Sequence, residues 1–171
     1  WYNLGIWIHS KVVFDRLLVA DGGLVPTGCS ACESYDLAPD GLTLTFKLKD
    51  GLTWHDGDDF TVEDVAWSIR TAIKAPRTHS VVGNTVNSIK GAEAFKNGST
   101  DDVAGIKYNI ADGIITLEMA TLDPNILTTF SQFAILPKHK LDDVDPNQLQ
   151  QSDFWQMPVG SGPFKVTEVR M

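Results

Sequence analysis

The stretch from Asp40 to Lys74 constrains the fold more than any other part of the chain. Leu42, Leu44, Phe46 and Leu48 alternate with Thr43, Thr45, Lys47 and Lys49. That period of two sets one face of a strand on a core and the other in solvent. Asp40-Gly41 and Asp50-Gly51 punctuate the strand at both ends. Thr61-Val62-Glu63-Asp64 follows, a threonine with an acid three residues on, which can satisfy free amides at the start of a helix. Val62, Val65, Ala66, Ile69, Ala72 and Ile73 then recur at helical spacing before Pro76, which predicts an amphipathic helix over 62–74. A strand and a helix that each carry one apolar face bury those faces against each other.

Weaker signals fill in the rest. Residues 10–17 read as a short helix with Ser10 as N-cap. Leu18–Ala20 and Leu24–Val25 read as short strands about the turn Asp21-Gly22-Gly23. A second helix is expected over 83–96, stopped by Asn97-Gly98. A hairpin follows, 106–110 and 114–119 about Ala111-Asp112-Gly113. Asp123-Pro124 opens a short helix to Phe130, and 147–150 forms a helical turn. Phe164 to Val169 alternates like a strand. The expected fold class is α+β, a mixed sheet with packed helices. Its sheet holds 42–49 and the 106–119 hairpin, with helix 62–74 packed on it, and residues 1–171 form a single domain.

The 171 residues, 43% of them apolar, suffice for one full core. The 14 basic side chains against 22 acidic ones leave a formal charge of −8. The basic residues form no cluster, which argues against a nucleic-acid surface. No apolar run approaches the ~18 residues of a membrane span. The chain opens on Trp1 and stops at Met171, so both ends read as cut from a longer protein.

Four groups could carry chemistry. Cys29-Ser30-Ala31-Cys32 reads as a structural pair, either a local disulfide or two free thiols. A metal site and a redox motif are the alternatives, although zinc needs two further ligands and a redox pair needs a helix after the first sulfur. The histidines at 9, 55, 79 and 139 stand singly. Trp54-His55-Asp56-Gly57 with Asp58, Asp59, Glu63 and Asp64 resembles a metal or acid–base cluster, but acids before and within a first helical turn are favoured by the helix dipole anyway. An EF-hand register is absent. Gly160-Ser161-Gly162 lacks the spacing and the following helix of a nucleophile elbow. No catalytic residue, metal ligand or cofactor is nominated. The aromatics Trp1, Tyr2 and Trp7 suit either a core or a ligand wall.

Several of these runs, taken in order, resemble the solute-binding proteins of peptide ABC transporters, a family that also includes dipeptide and nickel-complex binders. Asp21-Gly22-Gly23-Leu24-Val25-Pro26 is similar to its "DG-x-LVP" hairpin and Glu33-Ser34-Tyr35 to its "AESW" strand. The run Asp40 to Gly57 is similar to its most diagnostic stretch, and Phe60 to Val65 continues it. Ile135-Leu136-Pro137-Lys138-His139 and Pro158 to Phe164 resemble "IVPKH" and "PVGTGPY". The chain departs from the pattern around Thr27 to Ser30, where extra residues bring in both cysteines. The family also continues well past residue 171, through a second lobe.

The resemblance implies one subdomain of the first lobe of a two-lobed periplasmic-binding-protein-like fold that closes on a ligand. It implies a peptide or other small solute as ligand, an ABC permease in the membrane as partner, a monomer, and no enzyme activity. The location implied is extracytoplasmic, in the periplasm or as a cell-surface lipoprotein. By position in the pattern, ligand contacts fall at Tyr2 and Trp7, at Ser80, Val81 and Val82, and at Gln132 and Phe133. A hydrolase with an unrecognised site and a ligand sensor on the same fold are the alternative readings.

Overall fold

The structure is a computed structural model that describes residues 12–76 and 78–168. Strand β1 (Leu18–Ala20) pairs antiparallel with β2 (Pro26–Cys29). The second strand was expected at Leu24–Val25 and begins instead at Pro26. The Asp21 carboxylate accepts the N–H groups of Gly23 at 2.8 Å and Val25 at 2.9 Å. That draws 21–25 into one turn, with Leu24 at φ 62°.

A second sheet carries the core. It is ordered β3 (Cys32–Leu37), β4 (Thr43–Leu48), β6 (Ile114–Glu118), β5 (Ile106–Asn109). The mixed sheet expected from the sequence is antiparallel at every pairing among these strands. In the β4–β6 register Leu44 faces Leu117 and Phe46 faces Ile115, and all four side chains are fully buried. On the opposite face the hydroxyls of Thr45 and Thr116 meet at 3.1 Å.

Helix α1 (Val62–Lys74) lies over β5 and β6. Its six periodic apolar residues, Val62, Val65, Ala66, Ile69, Ala72 and Ile73, are all buried. At its start Thr61 Oγ1 accepts the Glu63 N–H at 3.2 Å, and Asp64 Oδ2 accepts the Thr61 N–H at 2.9 Å.

The single helix expected over 83–96 is two, α2 (Ser80–Asn87) and α3 (Ala92–Lys96). The chain between them is taken by the sheet. The Lys90 N–H donates to Glu118 O at 2.9 Å, the Ala120 N–H to Ser88 O at 2.7 Å, and Ile89 bridges Met119. Gly91 makes the turn into α3 at φ 80°, a conformation that disfavours other residues.

Helix α4 runs Ile126–Gln132, shifted toward the C-terminus from the expected 123–130, because Asp123 and Asn125 form the turn before it. Helix α5 is a single turn, Lys138–Leu141. Two 3-10 turns follow at Leu149–Gln151 and Asp153–Gln156.

The helix expected over 10–17 is helical only at 12–13 among its described residues, and Ser10 lies outside them. Backbone groups elsewhere claim its carbonyls: Gly162 N–H binds Val13 O, Ile135 N–H binds Asp15 O, and Ala31 N–H binds Arg16 O. The strand expected from Phe164 to Val169 is irregular as far as Glu168, and Val169 lies outside the described residues. Phe164 donates its N–H to Val12 O, which binds the tail to the N-terminal segment rather than to a sheet.

Candidate functional site

Four of the six runs that carry the family resemblance, those ending at Gly57, starting at Phe60, at Ile135 to His139 and at Pro158 to Phe164, meet at one corner of the fold. Trp54, 2% exposed, packs its ring 4.9 Å from Phe60 and 6.1 Å from His139. His139 Nε2 lies 2.9 Å from Asp56 Oδ2 and 3.3 Å from Asp58 Oδ2, and the Lys140 ammonium reaches Asp56 at 2.9 Å. Lys138 pairs with Glu63 at 2.9 Å, while its N–H donates to Asp64 Oδ1 at 3.0 Å. Leu136 N–H donates to the buried Ser68 hydroxyl of α1 at 2.9 Å. On the other side, His55 N–H donates to Gly160 O, and its Nε2 lies 2.8 Å from Gly162 O. That loop passes so close to the N-terminal segment that a Cβ on Gly162 would fall 2.6 Å from Val12 O.

These contacts fix the electrostatics. Burial opposes ionisation of Asp56. The hydrogen bonds from His139, Lys140 and the Asp58 N–H together outweigh it and bring the carboxyl down to about 2. Asp64 goes the other way. Burial raises it, and the amides of Thr61 and Lys138 recover only part of the loss. Trp54 points its indole N–H toward Asp64 without closing a bond of normal geometry. The Asp56, Asp58 and His139 ligand atoms lie within 4.8 Å of one another, a grouping that could accept a cation. In this fold the Lys140 ammonium already neutralises Asp56, so the corner is an ion-pair brace. Asp56, Glu63, Asp64 and His139 each meet a partner from another run, while Trp54 Nε1 and His55 Nδ1 are buried without a hydrogen-bond partner.

Cys29 and Cys32 form a disulfide that closes the step from β2 to β3. Among the alternatives left open by the sequence, the structure realises the structural pair. A strand follows Cys32, so no helix N-terminus is there to activate a thiolate. Ser161 Oγ accepts the Asp15 N–H at 3.1 Å and serves as a turn contact.

The sequence-nominated ligand residues divide into three sets. Tyr2 and Trp7 lie outside the described residues. Ser80 is exposed and Val81 half-buried at the start of α2, and Gln132 is half-buried at the end of α4. Val82 is 5% exposed and Phe133 fully buried, its ring 6.1 Å from Phe130 in an edge-on contact. Helices α2 and α4 pack together, so the nominated stretches belong to neighbouring elements. A surface depression of about 570 Å³ beside α4, lined by Val25, Pro26, Leu37, Leu122, Ile126 and Leu127 among others, contains none of them.

Sequence reasoning missed the partners that join α2 to α4. Thr85 and Thr129, both fully buried, bring their hydroxyls to 2.7 Å, and Thr85 donates to Asp123 Oδ2. Threonine on an apolar helix face is the only sequence signal of such a link, and it is a weak one.

The described residues form an antiparallel sheet backed by helices, with a corner in which residues distant in sequence brace one another. Residues 30–170 match the profile of the bacterial extracellular solute-binding proteins, family 5, Middle. The chain belongs to that family. By sequence it is 30% identical over 141 residues to the oligopeptide-binding protein AppA of Bacillus subtilis, covering 81% of this chain and 23% of that one. Among solved structures, lactococcal OppA complexed with an endogenous peptide superposes with a TM-score of 0.81 at 22% identity, over 99% of this chain and 33% of that one. NikZ from Campylobacter jejuni in complex with Ni(L-His) gives 0.72 at 27%, over 94% and 28%. The chain spans about a quarter of the length of the curated relatives it matches.

Proposed function

We propose that this chain is one subdomain of the first lobe of an extracytoplasmic solute-binding protein that captures a peptide and delivers it to an ABC permease. The observation that carries the reading is the match of residues 30–170 to a solute-binding family, joined to a fold in which the diagnostic residues bind one another. AppA, 30% identical in sequence, is an oligopeptide-binding protein, which favours a peptide over the nickel complex held by NikZ. The wall facing the ligand comprises Ser80, Val81 and Gln132 with Tyr2 and Trp7, while Val82 and Phe133 set it from behind. The protein works as a monomer, without nucleic acid and without catalysis.

Pockets bury most of a small ligand's surface, and residues from one subdomain supply only one side of such an enclosure. Closure of a second lobe supplies the other side and selects the liganded state. The test is calorimetry of the full-length protein with a pool of random nonapeptides. Saturable, stoichiometric heat with the peptides recovered intact supports the reading. Absence of uptake, or recovery of cleaved peptide, overturns it.

A further inference from the structure

Helices α2 and α4 carry the two nominated ligand stretches of the described chain, and a buried polar chain ties them together. Thr85 Oγ1 and Thr129 Oγ1 are 2.7 Å apart, and both residues are 0% exposed. Thr85 has one proton, and the Asp123 carboxylate takes it. Thr129 must therefore donate to Thr85. The Val81 carbonyl, 3.2 Å from Thr85 Oγ1, is a secondary contact. Asp123 Oδ1 in turn accepts the Asn125 N–H at 2.8 Å, and the Phe133 N–H donates to Thr129 O at 2.8 Å. A continuous path thus runs from Asp123 through Thr85 and Thr129 to Phe133.

We propose that Thr85, Thr129 and Asp123 are positioning residues that lock α2 to α4, so that Ser80, Val81 and Gln132, backed by Val82 and Phe133, present one rigid surface to the ligand. The ligand half of this statement rests on the proposed function; the lock itself rests on the geometry. Valine has the shape of threonine and would fill the same space, so packing alone does not require hydroxyls here. What the hydroxyls add is direction, since a hydrogen bond holds only at one register of the two helices. Val82 and Gln132 each lie three residues, about 4.5 Å of helix rise, from the linked threonine on their own helix. A slip at the link is passed to the surface nearly undiminished.

The experiment uses the full-length protein in two readouts, amide hydrogen exchange by mass spectrometry and affinity for the nonapeptide pool. Thr129→Val is the gentler variant because Asp123 keeps its donor; Thr85→Val removes that donor as well. Each is paired with a serine variant that restores the hydroxyl. The lock predicts that Thr129→Val speeds exchange about tenfold in α2 as well as in α4, the size of one lost buried hydrogen bond, with α1 unchanged. Affinity for the peptide pool falls by about the same factor, and Thr129→Ser restores both. Faster exchange confined to α4 overturns the proposal, as does an unchanged peptide affinity in a wild-type background that binds. A wild-type protein that takes up no peptide overturns the proposed function, and the lock then stands or falls on the exchange result.

Discussion

Asp56 and Asp64 sit a few residues apart and are shifted in opposite directions, because one meets cations and the other meets the core. For Asp56 the folded carboxyl lies near 2 against an ordinary value of 3.8. A depressed folded value contributes stability that is present above about pH 4 and is lost as pH falls toward 2. Given partial exposure, that contribution is about 1 kcal/mol. Urea midpoints of wild type and Asp56→Asn should differ most near neutral pH and converge at about pH 2; a gap independent of pH would remove the ion-pair brace from the account. Asp64, raised by burial, has the opposite sign: its ionisation costs stability, and the cost appears as pH rises past its unfolded value. Val65 is 0% exposed on the buried face of α1. Val65→Asp should lose at least about 3 kcal/mol by burying an unpaired charge, read as a drop in denaturant midpoint.

At the scale of elements, α1 is held by its own ends as well as by its packing. Thr61→Ala removes the acceptor for Glu63 and should cost about 1 kcal/mol without altering ligand affinity. Thermal melts of the two proteins, with peptide titrations alongside, decide it. The Cys29–Cys32 bridge closes a very short loop between β2 and β3, so the unfolded chain gains little freedom on its removal. Cys32→Ser should lower stability by about 2 kcal/mol or less and leave peptide affinity intact. Stoichiometric, tightly held zinc in the reduced protein would contradict a purely structural pair.

For the whole molecule, the proposed function predicts that the 171-residue chain binds the peptide pool far more weakly than the full-length protein does, because in that reading closure between lobes supplies most of the burial. Micromolar binding by the isolated chain would show that one wall is enough. Within the full-length protein, Trp7→Ala should weaken binding by ~1–3 kcal/mol if its ring lines the cleft, the cost of a lost apolar contact. Unchanged calorimetric affinity would move Trp7 to the core.

Elements specified by neighbouring residues were legible in the chain. The alternation at Leu44, Phe46 and Leu48, the threonine cap at 61 and the helical spacing from Val62 to Ile73 all lie within a few residues of what they determine, and the structure has them where expected. The family resemblance was legible for the same reason, since its motifs are contiguous. What tertiary structure decided was every outcome in which distant backbone competes for the same hydrogen-bonding groups. Residues 88–91 leave the helix because β6 offers them partners, and Asp15 and Arg16 leave theirs because Ile135 and Ala31 claim their carbonyls. His139 meets Asp56 across 83 residues of sequence, and Thr129 meets Thr85 across 44. Local sequence sets the propensity of a segment. Which of its polar groups are already spoken for is set by the rest of the chain, because each amide, carbonyl and hydroxyl that leaves water must find its partner among whatever residues surround it.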